Sequence, residues 1–161
     1  MRIENRTAKV TTPSDTQILM TREFNAPKHL VFKAWTTPEL IKCWWSGGRG
    51  EVTVAEVDLR VGGTWRYVIA SEHGEVGFNG EYLEIVPNER IVNTEIYEQA
   101  PEGTKPADNF VTFTETDGRG KIELLMECHS KEVRDAVLAS GMEEGLQDSW
   151  DAMDRVAQSL K

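Results

Sequence analysis

Cysteine, histidine, positive charge and long apolar runs are all scarce in this chain of 161 residues, and each shortage excludes something. The two cysteines, Cys43 and Cys128, lie far apart and form no CxxC. That pattern excludes a disulfide framework and suits free thiols in a reducing cytosol. His29, His73 and His129 have no ligand partner at metal spacing, so no metal and no cofactor is expected. No apolar run approaches the ~18 residues of a membrane-spanning helix. The opening stretch MRIENRTAKVTTPSD lacks the apolar core of a secretory signal. The expectation is a cytoplasmic protein without membrane insertion. Lys and Arg number 18 against 27 Asp and Glu, and the net charge of −9 has the wrong sign for a nucleic-acid partner. The glycine-rich GGRG at 47–50 leads into a strand rather than a helix, which excludes a phosphate cradle.

What remains is an ordinary globular composition, 39% apolar and 28% charged. The length suits one domain that buries a core without staples. Residues 1–15 read as a polar arm and 16–161 as a single domain. Five tryptophans stand out, two of them adjacent in CWWSGG (43–48). Consecutive residues cannot share one face of a helix or strand. If Trp44 enters the core, Trp45 must point elsewhere, toward a rim, a pocket or a partner.

Periodicity gives the elements. TQILMTREF (16–24) alternates as a strand. In NAPKHLVFKAWT, Asn25 reads as an N-cap with Pro27 early in a helix, and PELIKCWW reads as a second short helix. Six strand-like runs follow between 52 and 129, separated by turn signals that include EHGE (72–75) and DGRG (117–120). Gly77 and Gly80 suggest a bulge or bend in the third of these. Beyond residue 130 the period becomes helical, and Met142, Leu146, Trp150, Met153, Val156, Ala157 and Leu160 form an apolar stripe. The stripe needs a partner, and a sheet is the large one on offer. The fold class is α+β: a curved antiparallel meander with a long C-terminal helix laid across it.

Four segments in this order, REFNAPKHLVFKAWTTPELIKCWW (22–45), VDLRVGGTWRY (57–67), FNGEYLEIVPNERIVNTE (78–95) and GMEEGLQDSWDAMDRVAQSL (141–160), resemble the START-like (SRPBCC, Bet v-like) superfamily. Within it the chain is similar to the branch homologous to the C-terminal domain of the activator of the heat-shock-protein-90 ATPase. The resemblance spans nearly all of residues 16–160. It implies a helix-grip fold whose sheet wraps the C-terminal helix, with an apolar cavity between them. Members of the superfamily include lipid and steroid carriers, hormone receptors, aromatic cyclases and cochaperone domains, so fold alone does not dictate function.

Small-molecule pockets are apolar and aromatic with few polar groups. The expected lining is therefore Trp35, Trp44, Trp45, Trp65, Tyr67, Phe78, Tyr82, Phe113, Met126, Trp150 and Met153, with Phe110 and Met142 in the wider set. Catalytic groups are harder to find. Glu56 and Asp58 share a strand face but read as solvated. Arg22 and Arg66 offer forks for a ligand carboxylate or for salt bridges. His129 reads as outward-facing, and Cys43 has no histidine partner at readable spacing. The sequence favours a binder of a small apolar or amphipathic molecule. The alternatives are a cochaperone-like module whose partner is a chaperone or a second copy, and a cyclase or hydrolase using the same cavity.

Overall fold

Ile18, Met20 and Arg22 fall on one face of a seven-residue strand, and all three are buried. That face looks inward across an eight-stranded antiparallel sheet. The computed structural model describes residues 8–161. Its elements run β1(Lys9–Thr11), β2(Gln17–Glu23), α1(Lys28–Thr36), α2(Pro38–Trp44), β3(Glu51–Val57), β4(Thr64–Ser71), β5(Gly74–Val86), β6(Arg90–Tyr97), β7(Ala107–Thr116), β8(Arg119–Glu127), α3(Lys131–Ala139) and α4(Met142–Ser159). Strand order is β1-β2-β8-β7-β6-β5-β4-β3. Strands β3 to β8 form the expected meander, and β2 joins the far end by pairing with β8, Gln17 opposite Glu127.

Tight turns follow the local chemistry. Asp117 and Gly118 both adopt positive φ between β7 and β8, as a two-residue hairpin loop demands. Register shifts at Val52/Val54 and Tyr82/Glu84 mark bulges, which bend a strand and increase its twist. Gly80 has a different purpose from the expected bulge. A Cβ there would sit 1.9 Å from the Thr94 carbonyl oxygen and 2.7 Å from Trp65 Nε1. The bare position lets the Trp65 indole cross β5 and donate to that carbonyl at 3.1 Å.

Two local expectations need correction. Asn25 is not the N-cap of α1. Pro27 occupies that position, and Asn25 turns both its backbone N–H and its Nδ2 toward Asp154 of α4. Residues 9–11 are not a loose arm but an edge strand, Val10 opposite Met20. Gln147 of α4 holds the adjacent Ala8 at both its N–H and its C=O, at 3.0 and 2.7 Å. Residues 1–7 of the expected arm lie outside the described residues.

Helix α4 buries Ser149, Trp150, Met153, Asp154 and Ala157, one face at helical spacing. Asp154 is 5% exposed and accepts from Asn25 N (2.8 Å), Asn25 Nδ2 (2.9 Å) and Gln158 Nε2 (3.1 Å). Arg22, 4% exposed, reaches Asp154 at 3.5 Å and also pairs with the half-exposed Asp151. Replacing Asp154 by Ala strands these donors in the interior, so urea denaturation should register a loss of about 3–5 kcal/mol. Asp151→Ala, at the solvent edge, should cost less. A loss below about 1 kcal/mol for Asp154→Ala would mean that water reaches the cluster.

Candidate ligand site between sheet and helix

The adjacent tryptophans join two different aromatic clusters. Trp44, on the buried face of α2, donates its Nε1–H to the Ala34 carbonyl at 2.9 Å and stacks on Trp35 with 5.6 Å between ring centroids. Trp35 in turn meets Phe113 at 6.1 Å and Trp150 at 6.3 Å, and Trp150 meets Phe24 at 6.0 Å. Phe24, Phe113 and Met153 are fully buried, and Trp150 is 2% exposed. In this cluster Trp35 alone is only partly buried.

Trp45 turns the other way. It contacts Tyr67 at 5.0 Å and Phe78 at 5.2 Å, both edge-on, and Tyr67 packs on Trp65 at 4.8 Å. Phe78 continues to the exposed Tyr97 at 5.3 Å. Trp45 and Phe78 are only partly buried, as are Met126, Met142 and Leu146. The glycines after Trp45 let its loop lie on α4: a Cβ at Gly47 would stand 2.9 Å from the Ser149 backbone nitrogen, and Arg49 pairs with Asp148.

The sheet wall behind this second cluster is more polar than its alternation suggested. Tyr82 of β5, Asn93 of β6, Asn109 of β7 and Met126 of β8 stand in cross-strand register on the inner face. Glu95, two residues beyond Asn93 on the same strand face, accepts from Asn109 Nδ2 at 2.7 Å. Burial raises Glu95 above the usual carboxylate range, and the Asn109 hydrogen bond opposes that shift only in part. Burial also raises the phenols of Tyr67 and Tyr82, so both remain protonated. Sequence reasoning missed Glu95, Asn93 and Asn109. The signal was present, because Asn93 and Glu95 fall on the same strand face as the fully buried Ile91.

The earlier catalytic candidates do not converge. Glu56 is exposed on β3 and Asp58 is exposed just beyond it. Arg66 makes a two-pronged pair with Glu98 at 2.8 and 3.0 Å on an exposed face. Its guanidinium holds the Glu98 carboxyl below the ordinary value, and Asn79 adds to the effect. Arg22 is committed to α4. His129 is exposed and meets Asp108 at 2.9 Å. Burial pushes the Cys128 thiol up to about 11, far from a reactive thiolate. Cys43 is exposed at the end of α2. Phe110 lies on the outer face, under Arg90, where a groove of about 560 Å³ runs over Leu19, Phe110 and Leu125 with an acidic rim. Among the described residues no group of three or more His, Cys, Asp or Glu is placed to hold a metal, and no helix is long and apolar enough to cross a membrane.

The family model described as activator of Hsp90 ATPase homolog 1-like protein matches residues 25–158. A comparison with curated protein sequences gives no match. Among solved structures, a protein from Rhodobacter sphaeroides is 21% identical with a TM-score of 0.87, covering 95% of this chain and 99% of that one. Protein Ms6760 from Mycobacterium smegmatis is 23% identical with a TM-score of 0.83, covering 93% and 96%. An HSP90 activator from Plasmodium falciparum is 24% identical with a TM-score of 0.56, covering 70% of this chain and 73% of that one. Identities this low establish the shared fold alone.

Two outcomes are expected from this geometry. Trp44→Ala should cost roughly 3–5 kcal/mol in urea denaturation and Trp45→Ala about 1–2 kcal/mol, because only the first ring is fully enclosed. Equal losses would place both rings in one core. Glu95 binds its proton more tightly folded than unfolded, so its contribution is fully present below the unfolded value and lost as pH rises through the folded one. Glu95→Gln should therefore be more stable than the parent at pH 7, and the gain should fade as pH falls toward 4. A gain that is flat with pH would mean the carboxyl is solvated.

Proposed function

The chain belongs to the activator of Hsp90 ATPase homolog 1-like family, and from that premise we propose that it binds a small apolar or amphipathic molecule between the sheet and α4. The observation that carries this reading is the unequal packing of the two aromatic clusters. The first leaves only Trp35 partly buried around an enclosed Trp150, and the second leaves both Trp45 and Phe78 partly uncovered beside Met126. A half-covered aromatic wall with a few inward polar groups is the usual make-up of a small-molecule pocket. In this reading Trp45, Trp65, Tyr67, Phe78, Tyr82 and Met126 line the cavity. Trp35, Trp44, Phe113, Trp150 and Met153 form the packed wall behind them. Binding draws on apolar surface removed from water, about 25 cal/mol per Å² before ordering costs.

A second reading, a protein-binding module of the cochaperone type, rests on a different surface. Leu59, Val61, Leu83, Val86 and Ile96 are large apolar side chains left in solvent. Apolar side chains left in solvent offer contacts to a chaperone or a second copy. The family description and the Plasmodium falciparum structure support it.

Native mass spectrometry of the purified protein, followed by denaturing extraction, separates the readings. A co-purified small molecule of defined mass, bound more weakly by Trp45→Ala at unchanged fold, is the expected result. A clean mass, no tryptophan-fluorescence response to a panel of lipids and aromatic metabolites, and stoichiometric recovery of a chaperone would instead establish the second reading.

A further inference from the structure

Two buried side-chain atoms among the described residues lack a hydrogen-bond partner, Arg119 Nε and Asn109 Oδ1. Arg119 sits at the β7–β8 hairpin, and its guanidinium already reaches Glu23. Asn109 is different. It is 6% exposed and stands near the start of β7, in line with the fully buried Val111 and Phe113. Its Nδ2 is used, donating to Glu95 Oε1 at 2.7 Å. Its Oδ1 faces the interior with nothing to accept from. Folded proteins leave few such atoms bare, and a buried polar network with one open position calls for a partner.

The surroundings of that open position are specific. Register places Asn93 on one side of Asn109 and Met126 on the other, with Tyr82 one strand further. The donor of the amide serves Glu95, but nothing in the fold uses its acceptor, which remains a cost. The carboxyl of Glu95 lies beside Asn109 and accepts from its Nδ2. Tyr82 is on β5, the strand that carries Phe78 of the second aromatic cluster, and Asn93 and Glu95 are on β6 beside it.

We propose that Asn109 Oδ1 and the Glu95 carboxyl form the polar end of the ligand cavity and receive the hydroxyl group of an otherwise apolar molecule, an alcohol or a phenol. The inference rests on the cavity reading above and adds the chemistry of the ligand's head. The amide oxygen only accepts, so the ligand must donate. Burial raises the proton affinity of Glu95, and a protonated carboxyl can donate in return to a hydroxyl lone pair. A hydroxyl does both at once. A carboxylate head would bring a second acid against Glu95 and an acceptor against an acceptor. A methyl ether cannot donate and would leave Asn109 Oδ1 as bare as before.

Isothermal titration calorimetry with 2-naphthol, its methyl ether and 2-naphthoate tests this on the intact protein. The three probes share one aromatic body, so differences report on the head. The parent should bind 2-naphthol at least about tenfold more tightly than the ether, with 2-naphthoate weakest. Asn109→Leu, checked for an unchanged near-ultraviolet circular dichroism spectrum, should bind naphthol and ether alike and hold the ether no less tightly than the parent does. The comparison within the parent protein stands even if that variant fails to fold. Equal binding of naphthol and ether by the parent, or a preference for naphthoate, overturns the hydroxyl assignment and leaves the cavity reading intact. Failure of all three probes to bind overturns both.

Discussion

The arrangement of the two layers depends on a carboxylate in the wrong-looking place, Asp154 on the buried face of α4. An apolar stripe is attracted to a sheet without direction, and it could slide or rotate at little cost. Asp154 removes that freedom. It gathers the Asn25 backbone N–H, the Asn25 amide and the Arg22 guanidinium, three groups at the end of β2 and just beyond it. Each donor arrives from a fixed backbone, so the helix has one axial position that satisfies them all. With that position set, Trp150 one turn earlier falls between Phe24 and Trp35.

The clamp also explains why the helix is not held evenly. Asp151 and Asp154 lie in its second half, together with the fully buried Met153 and Ala157. In the first half, Met142 and Leu146 are only partly buried, and Gln147 reaches out to the edge strand at Ala8. The tightly packed end coincides with the first aromatic cluster. Trp44 and Trp45 sit at the division between the clusters, and their adjacency in sequence is the means of it. One backbone position sends a ring to each side, because neighbours cannot point the same way. The Gly47–Gly50 loop then needs close approach to α4 and to β4, which Cβ atoms at Gly47 and Gly50 would obstruct.

How legible this was in the sequence depended on whether the controlling contact was local. Alternation exposed β2, β4 and β8, and the Asp117-Gly118 turn announced its hairpin, because both signals reside in a few adjacent residues. The pairing of β2 with β8 was not read from the sequence, since no local pattern links residues 17 and 127. Edge strand β1 was lost because three residues with one apolar side chain carry no period. Asn25 has the chemistry of a cap, but Asp154 lies 129 residues away and claims it. The inward polar residues were missed for a subtler reason. Arg22, Asn93 and Glu95 each fall on the apolar side of their strand by simple counting. A reading that expects charge to lie outside discounts what the period already states.

That discounting matters most on β6, where the conflict between pattern and composition coincides with the open part of the core. Polar groups on an inner face are tolerated when each finds a partner, as Arg22 does. On β6 and β7 the account is incomplete: Asn109 serves Glu95 and is itself unserved. The same region carries the partly covered rings of Trp45 and Phe78. The loosely covered ring of Phe78 is on β5 and the bare acceptor of Asn109 is on β7, with Glu95 on the strand between them. Natural sequences that break their own local rules tend to do so at functional sites, with compensation elsewhere in the fold. The clamp and the first cluster supply that compensation here. They fix the second half of the helix while Met142 and Leu146 in its first half stay only partly buried.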